Sequence, residues 1–188
     1  MDPYPKSAFE SLQSSNGEER YQAYHYIMLI TEHRVSWAYD VWDRLVEMLS
    51  DPGNHQRAIA GQLLSNLARS DPEGRMLRDF PALLNGTRDE RFVTARHTLQ
   101  NIWKVGLAGE AQRQMLLDGL KQRYDECITE KQSTIIRYDI IEGLKKLYDQ
   151  VQDERVKEKA LAWIELEGDE KYRKKYAGAW KTRRGPTS

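Results

Sequence analysis

The amino-acid sequence predicts an all-α protein made of helix pairs stacked in series. Three observations carry this. Apolar residues recur at spacings of three and four along nearly the whole chain, which is the period of one helical face. Period-two alternation of β-branched residues, the mark of half-buried strands, is absent. Segments about three dozen residues apart also align position by position, as expected of units that bury a core only by stacking on one another.

Each element follows from local residue choice. Residues 6–14 read as a short first helix. Asn16-Gly17-Glu18-Glu19 reads as a capping box, with Asn16 accepting from an exposed backbone N–H and Glu19 reaching back. The helix it opens carries Ala23, Ile27 and Ile30 on one stripe. A helix over 36–49 follows, with Ala38, Val41, Leu45 and Met48 on its apolar side. Asp51-Pro52-Gly53-Asn54 stops it, because proline cannot continue the hydrogen-bond ladder and glycine frees the backbone. The next helix spans 55–69, and Asp71-Pro72-Glu73-Gly74 breaks the chain again. Pro81 falls inside the apolar pattern of 75–84, which predicts a short or distorted helix there. Further helices are expected over 88–105, 109–127, 131–149, 153–166 and 169–180, with Gly106 and Gly109 marking a junction. No low-complexity linker interrupts the pattern, so residues 1–182 read as one helical-repeat domain and 183–188 as a disordered tail.

The repeat is visible once small residues are aligned. Ala23, Ala60 and Ala95 stand 37 and 35 residues apart. Four positions on are Ile27, Leu64 and Leu99; seven on are Ile30, Leu67 and Ile102; two before are Tyr21, Ala58 and Val93. A weaker copy centres on Arg137, 42 residues further, with Ile135 before it and Ile141 and Leu144 after. A small residue at a fixed site lets a neighbouring helix approach, and the two later positions fill the seam.

Two stretches, Ala58-Ile59-Ala60-Gly61-Gln62-Leu63-Leu64-Ser65-Asn66-Leu67-Ala68 and Thr94-Ala95-Arg96-His97-Thr98-Leu99-Gln100-Asn101-Ile102, resemble HEAT and armadillo repeats. The first is close to the armadillo inner-helix pattern in its Leu-Ser-Asn-Leu-Ala, while the two-helix unit and the Asp-Pro turns look more like HEAT. The resemblance covers residues 16–166 and implies a right-handed α-α superhelix of about four to five helix pairs. It also implies a concave surface lined by second helices, used mostly to bind other proteins and in some members nucleic acid.

On that surface the positions one, two and six after the small residue turn away from the seam. They hold Tyr24, Arg96 and Tyr138; His25, Gln62, His97 and Asp139; and Asn66 and Asn101. These nine are the expected partner-binding residues. In armadillo proteins that bind extended peptides, the asparagine matching Asn66 and Asn101 holds the peptide backbone, since an amide both donates and accepts. The tryptophan which that family places four residues earlier is here Gln62 and His97, and the flanking copies carry Leu29 and Gly143 in place of asparagine.

Charge and composition narrow the function. The chain has 188 residues, with 29 basic and 29 acidic side chains. Lys171, Arg173, Lys174, Lys175, Lys181, Arg183 and Arg184 lie in a stretch without acids, so residues 171–188 carry +7 and the body −7. An acidic body with a basic end does not fit a dedicated nucleic-acid binder. Those seven cations, interleaved with Tyr172, Tyr176 and Trp180, remain the alternative surface, for a single-stranded nucleic acid. The aromatics also fall at steps of four, the stripe of a capping helix.

Catalytic motifs are missing. Gly-x-Ser-x-Gly and phosphate-cradling glycine loops do not occur, and His25, His33, His55 and His97 do not form the His-x-x-x-His pair of a metal helix. DNA glycosylases built from HEAT-like repeats resemble this fold, and Trp37, Trp42 and Asp43 are the nearest counterpart of their aspartate and aromatics. Purely apolar runs reach only five residues, as in Tyr26-Ile27-Met28-Leu29-Ile30, far short of a membrane span. The opening Met1-Asp2-Pro3-Tyr4-Pro5-Lys6 lacks the apolar core of a secretory signal. Cys127 is the only cysteine, which rules out an intrachain disulfide and a cysteine zinc cluster and predicts a reducing compartment. The sequence therefore predicts a cytoplasmic, non-enzymatic interaction module with neither metal nor cofactor, whose partner is a protein or peptide.

Overall fold

The computed structural model describes residues 4–181. They form ten α-helices: α1 (Lys6–Ser11), α2 (Gly17–Ile30), α3 (Ala38–Met48), α4 (Asn54–Leu67), α5 (Arg75–Asn85), α6 (Phe92–Leu99), α7 (Glu110–Glu126), α8 (Ser133–Val151), α9 (Glu154–Glu165) and α10 (Glu170–Ala179). Short 3-10 turns follow α4, α5, α6 and α7. No strand occurs among the described residues, and none of their helices is long and apolar enough to cross a membrane. The tail expected over 183–188 lies outside the described residues.

Helix starts follow their capping residues. The Asn16 side chain accepts from the Glu18 N–H at 2.9 Å, an N-cap made at the second helical position rather than the third. Glu19 does not close the box. Its carboxylate takes the Ser14 hydroxyl at 2.5 Å, and the Asn16 N–H donates to Ser14 Oγ at 3.1 Å instead. Asp153 and Asp169 cap α9 and α10 by accepting from the N–H groups of Arg155 and Lys171.

Two expectations are corrected. α5 runs unbroken through Pro81, because the proline sits on the exposed side while Met76, Phe80, Leu83 and Leu84 hold the helix against its neighbours. The helix expected over 88–105 is instead α6 followed by a 3-10 coil, Ile102–Leu107. Thr94 and Thr98 are buried and β-branched, which weakens a helix; the tighter coil then carries Ile102 and Val105 into the core.

The helices form two compact units, divided within α7 between Leu116 and Leu117. In the first, α1 packs on α2 and α3 on α4 and α5, while α2 and α6 both pack on α4. Trp42, Leu45, Ile59, Leu63, Leu64, Leu67, Met76 and Leu83 are fully buried there. Phe9 meets Trp37 edge-on at 5.8 Å. In the second unit, α8 packs on α9 and α10 around Ile140, Ile141, Leu144, Leu147, Val156 and Ala160.

Most of the aligned positions lie in the core, Ile30 being only half-buried. Ala23, Ala60 and Ala95 are buried, as are Ile27, Leu64, Leu99, Leu67 and Ile102. The position two before is core only in Ala58, whereas Tyr21 and Val93 face solvent. Hydrogen bonds between helices recur at nearly the unit length. The Trp42 indole N–H reaches Asp79 at 2.9 Å, 37 residues on, and the Tyr39 hydroxyl reaches Asp71 at 2.6 Å, 32 residues on.

Arg57 ties two of the turns. It donates to both oxygens of Asp89 at 2.6 and 3.0 Å, and to the Asp51 carbonyl at 2.8 Å. The Asp89 side chain is only 6% exposed. Its hydrogen bonds from Arg57, which outweigh burial, hold its carboxyl below the usual carboxylate range. A depressed carboxyl contributes stability that is complete above its unfolded value, about 3.9, and is lost as pH falls through the lower folded value. Urea unfolding of Asp89→Asn between pH 7 and 2.5 (about that window) is therefore expected to show a flatter acid limb than the parent chain. Equal slopes would mean that the pair does not govern acid stability.

Candidate functional site

The predicted partner-binding residues separate into a buried set and an exposed set. Gln62, Asn66 and Asp139 are buried, at 6%, 1% and 1% exposure, which corrects the expectation that they line an open inner face. For Gln62 and Asn66 the reason is the packing of α4 against α2 and against the coil after α6, which turns these side chains onto neighbouring elements rather than to solvent. Gln62 accepts from the Tyr24 hydroxyl at 2.7 Å and donates to the Ala58 carbonyl at 3.0 Å. Asn66 donates to Thr31 Oγ1 at 2.9 Å and to the Met28 carbonyl at 3.3 Å, and accepts from Lys104 Nζ at 2.6 Å. Lys104 also donates to Asn101 Oδ1 at 2.9 Å, and the Asn101 amide donates to the His97 carbonyl at 2.9 Å. The two asparagines thus belong to one polar spine joining α2, α4 and the coil after α6. An amide suits such a seam because it satisfies donors and acceptors at once.

The remaining residues of the first unit stay accessible. His25 is exposed, its ring 4.2 Å from Tyr21 and 5.2 Å from Tyr24. Arg96 is half-buried and His97 opens to solvent on α6. Desolvation of the His97 ring, then the charges of His55 and Arg96, hold its imidazole below the ordinary value. Tyr138 belongs to the second unit, where its ring lies 6.4 Å from Tyr176 with Lys175 Nζ 4.8 Å from its centre.

Tyr24 and His25 meet residues that the sequence reading did not select. A cleft of about 300 Å³ between α2 and α4 is lined by Gly17, Arg20, Tyr21, Tyr24, His25 and His55. Tyr24 and His25 stand three and four residues after Tyr21 on α2, a single stripe, and that spacing was the signal available. In the alignment Tyr21 stands two before the small residue, outside the positions expected on the open face. A larger cleft of about 580 Å³ between α1 and α2 is lined in part by Glu18, Glu19 and Tyr26.

The described part of the basic segment packs on α8. Tyr176 is fully buried and donates to the Thr134 carbonyl at 2.9 Å, and the Trp180 indole donates to the Ile141 carbonyl at 3.2 Å. The aromatic stripe thereby lies on α8, with Lys171, Lys174, Lys175 and Lys181 exposed around it. Arg173 reaches the Glu167 carbonyl at 3.4 Å, and Lys174 pairs with Glu170 at 2.6 Å. Arg183 and Arg184 lie outside the described residues.

Trp37, Trp42 and Asp43 do not converge. Trp42 is fully buried against Asp79, and Trp37 packs on Phe9 and Tyr4. Asp43 is exposed, 3.8 Å from Arg75. Among the described residues no three His, Cys, Asp or Glu side chains converge as a metal site would require. No protein-family model matches the chain, and comparison with curated proteins finds no match.

Proposed function

We propose that this protein is a non-enzymatic interaction module, a short α-solenoid resembling HEAT and armadillo arrays that binds a protein or peptide along its second helices. Hydrogen bonds at nearly one unit's separation support the stacked arrangement. In the first unit they join Tyr24 to Gln62 and Lys104 to Asn66, each 38 residues apart. In the second they join Tyr124 to Trp163 and Trp180 to Ile141, each 39 apart.

The observation that carries the reading is a stripe on α2. Tyr21 and Leu29 are 58% and 62% exposed, eight residues apart on one face, with His25 between them. Large apolar side chains clustered in the open are the mark of a surface that another molecule covers. The test is affinity capture from a native lysate treated with nuclease, read by mass spectrometry. The parent chain is expected to retain a partner that Tyr21→Ala/Leu29→Glu loses at unchanged helical circular dichroism. Undiminished retention by the variant would overturn this face. Partners recovered only without nuclease would favour the basic carboxyl-terminal segment and a nucleic-acid function.

A further inference from the structure

We propose that the cleft between α2 and α4 takes an acidic peptide segment, which inserts an apolar side chain between the tyrosines and lays carboxylates along Arg20, His25 and His55. This rests on the interaction-module reading and names the partner's chemistry.

The walls point to an apolar insert. Tyr21 and Tyr24 flank His25 in ring contact. The Tyr24 hydroxyl is already donated to Gln62, so the cleft meets its ring rather than its polar tip. A volume of about 300 Å³ suits one large side chain better than a folded surface.

The rim points to anionic flanks. Arg20, His25 and His55 are the charged or titratable lining groups besides the two tyrosines, and among the described residues no carboxylate lines the cleft. Arg20 is held in place by donating to the Ser14 carbonyl at 2.6 Å. The basic side chains continue onto α6, where Arg96 stands near His97 and His55. The nearby acids of α2 are turned elsewhere: Glu18 and Glu19 line the other cleft, where Glu18 accepts from Gln22 and Glu19 from Ser14. In a body carrying −7 this is a local reversal of sign, and complementary charge is what steers and registers a partner. Arg20 and Arg96, with imidazole hydrogen-bonding groups between them, match spaced carboxylates. A nucleic acid would need a denser row to displace its counterions.

The test is selection of a random dodecapeptide display library on the immobilised full chain, followed by anisotropy with the fluorescein-labelled most-enriched peptide. The expected enrichment is Asp and Glu flanking one aromatic or aliphatic residue. His55→Glu is expected to weaken that peptide about tenfold, as is Tyr21→Ala. Raising salt is expected to weaken the parent complex, because exposed charges are screened. His55 is exposed in the first turn of α4, where an acid suits the helix dipole, so this variant keeps its fold. Enriched peptides that are basic or uncharged, or an unchanged affinity in His55→Glu, overturn the acidic assignment and leave the interaction module standing. So does an empty selection when lysate capture succeeds. An empty selection together with failed capture removes both readings. Displacement of the labelled peptide by a single-stranded oligonucleotide at low salt would give the cleft to nucleic acid instead.

Discussion

Arg137→Met is expected to destabilise the second unit by about 3–5 kcal/mol, as breaking a buried ion pair does when one charge is left behind. Arg137 and Glu167 have side chains 7% and 9% exposed, with Nη1 3.0 Å from the carboxylate. The guanidinium also donates through Nε to the Tyr124 carbonyl at 3.1 Å and lies 4.4 Å over the Tyr124 ring. Tyr124 in turn donates its hydroxyl to the Trp163 carbonyl at 2.8 Å, which joins α7 and α9. Methionine preserves much of the stem's packing and removes the charge, so the loss reports on the stranded Glu167 rather than on a cavity. Arg137→Met/Glu167→Leu is expected to recover most of the stability, since a hydrophobic replacement of both partners is often neutral. Urea unfolding followed by circular dichroism measures the three variants. A loss in Arg137→Met below about 1 kcal/mol would mean that Glu167 finds water or another cation, and that the pair does not hold the helices.

The same residue shows what the sequence could and could not reveal. Element positions were legible because capping and breaking residues act locally: Asn16, Asp51-Pro52 and Asp71-Pro72 mark helix ends through their own backbone chemistry. Most aligned apolar positions were legible as core because buried seams demand similar volumes. Arg137 stood out as the copy without a small residue, but its partner Glu167 lies 30 residues on, in the turn before α10. No local pattern couples those two positions. The site was less legible for a related reason. Helical period fixes which residues share a face, but not how closely the next helix approaches. Asn66 and Gln62 lie on the expected face and are still sealed, whereas Tyr21, one stripe away, is open. Burial there is set by how closely α2, α4 and α6 pack, which depends on side chains far apart in the sequence.

Gly61→Ala is expected to lower stability by about 1–2 kcal/mol, against the rule that alanine improves a helix interior by about 1 kcal/mol over glycine. A Cβ at Gly61 would lie 2.4 Å from Thr98 Oγ1, 3.3 Å from Thr98 Cβ and 3.4 Å from Thr98 Cγ2. Thr98 cannot readily yield. It is 1% exposed, β-branched and therefore stiff. The added methyl therefore forces α4 and α6 apart, although alignment of small residues placed the close approach one residue earlier, at Ala60. Pushing these helices apart also strains the spine from Asn66 through Lys104 to Asn101, which spans the same seam. Thr98→Ala introduced alongside removes both the hydroxyl and the methyl that collide. The double variant is expected to melt higher than Gly61→Ala alone, although Thr98→Ala by itself leaves a small void. Thermal melts of the three variants decide the matter. A higher melting temperature for Gly61→Ala than for the parent chain would show that α6 gives way freely, and the seam would then not be set by contact between these two residues.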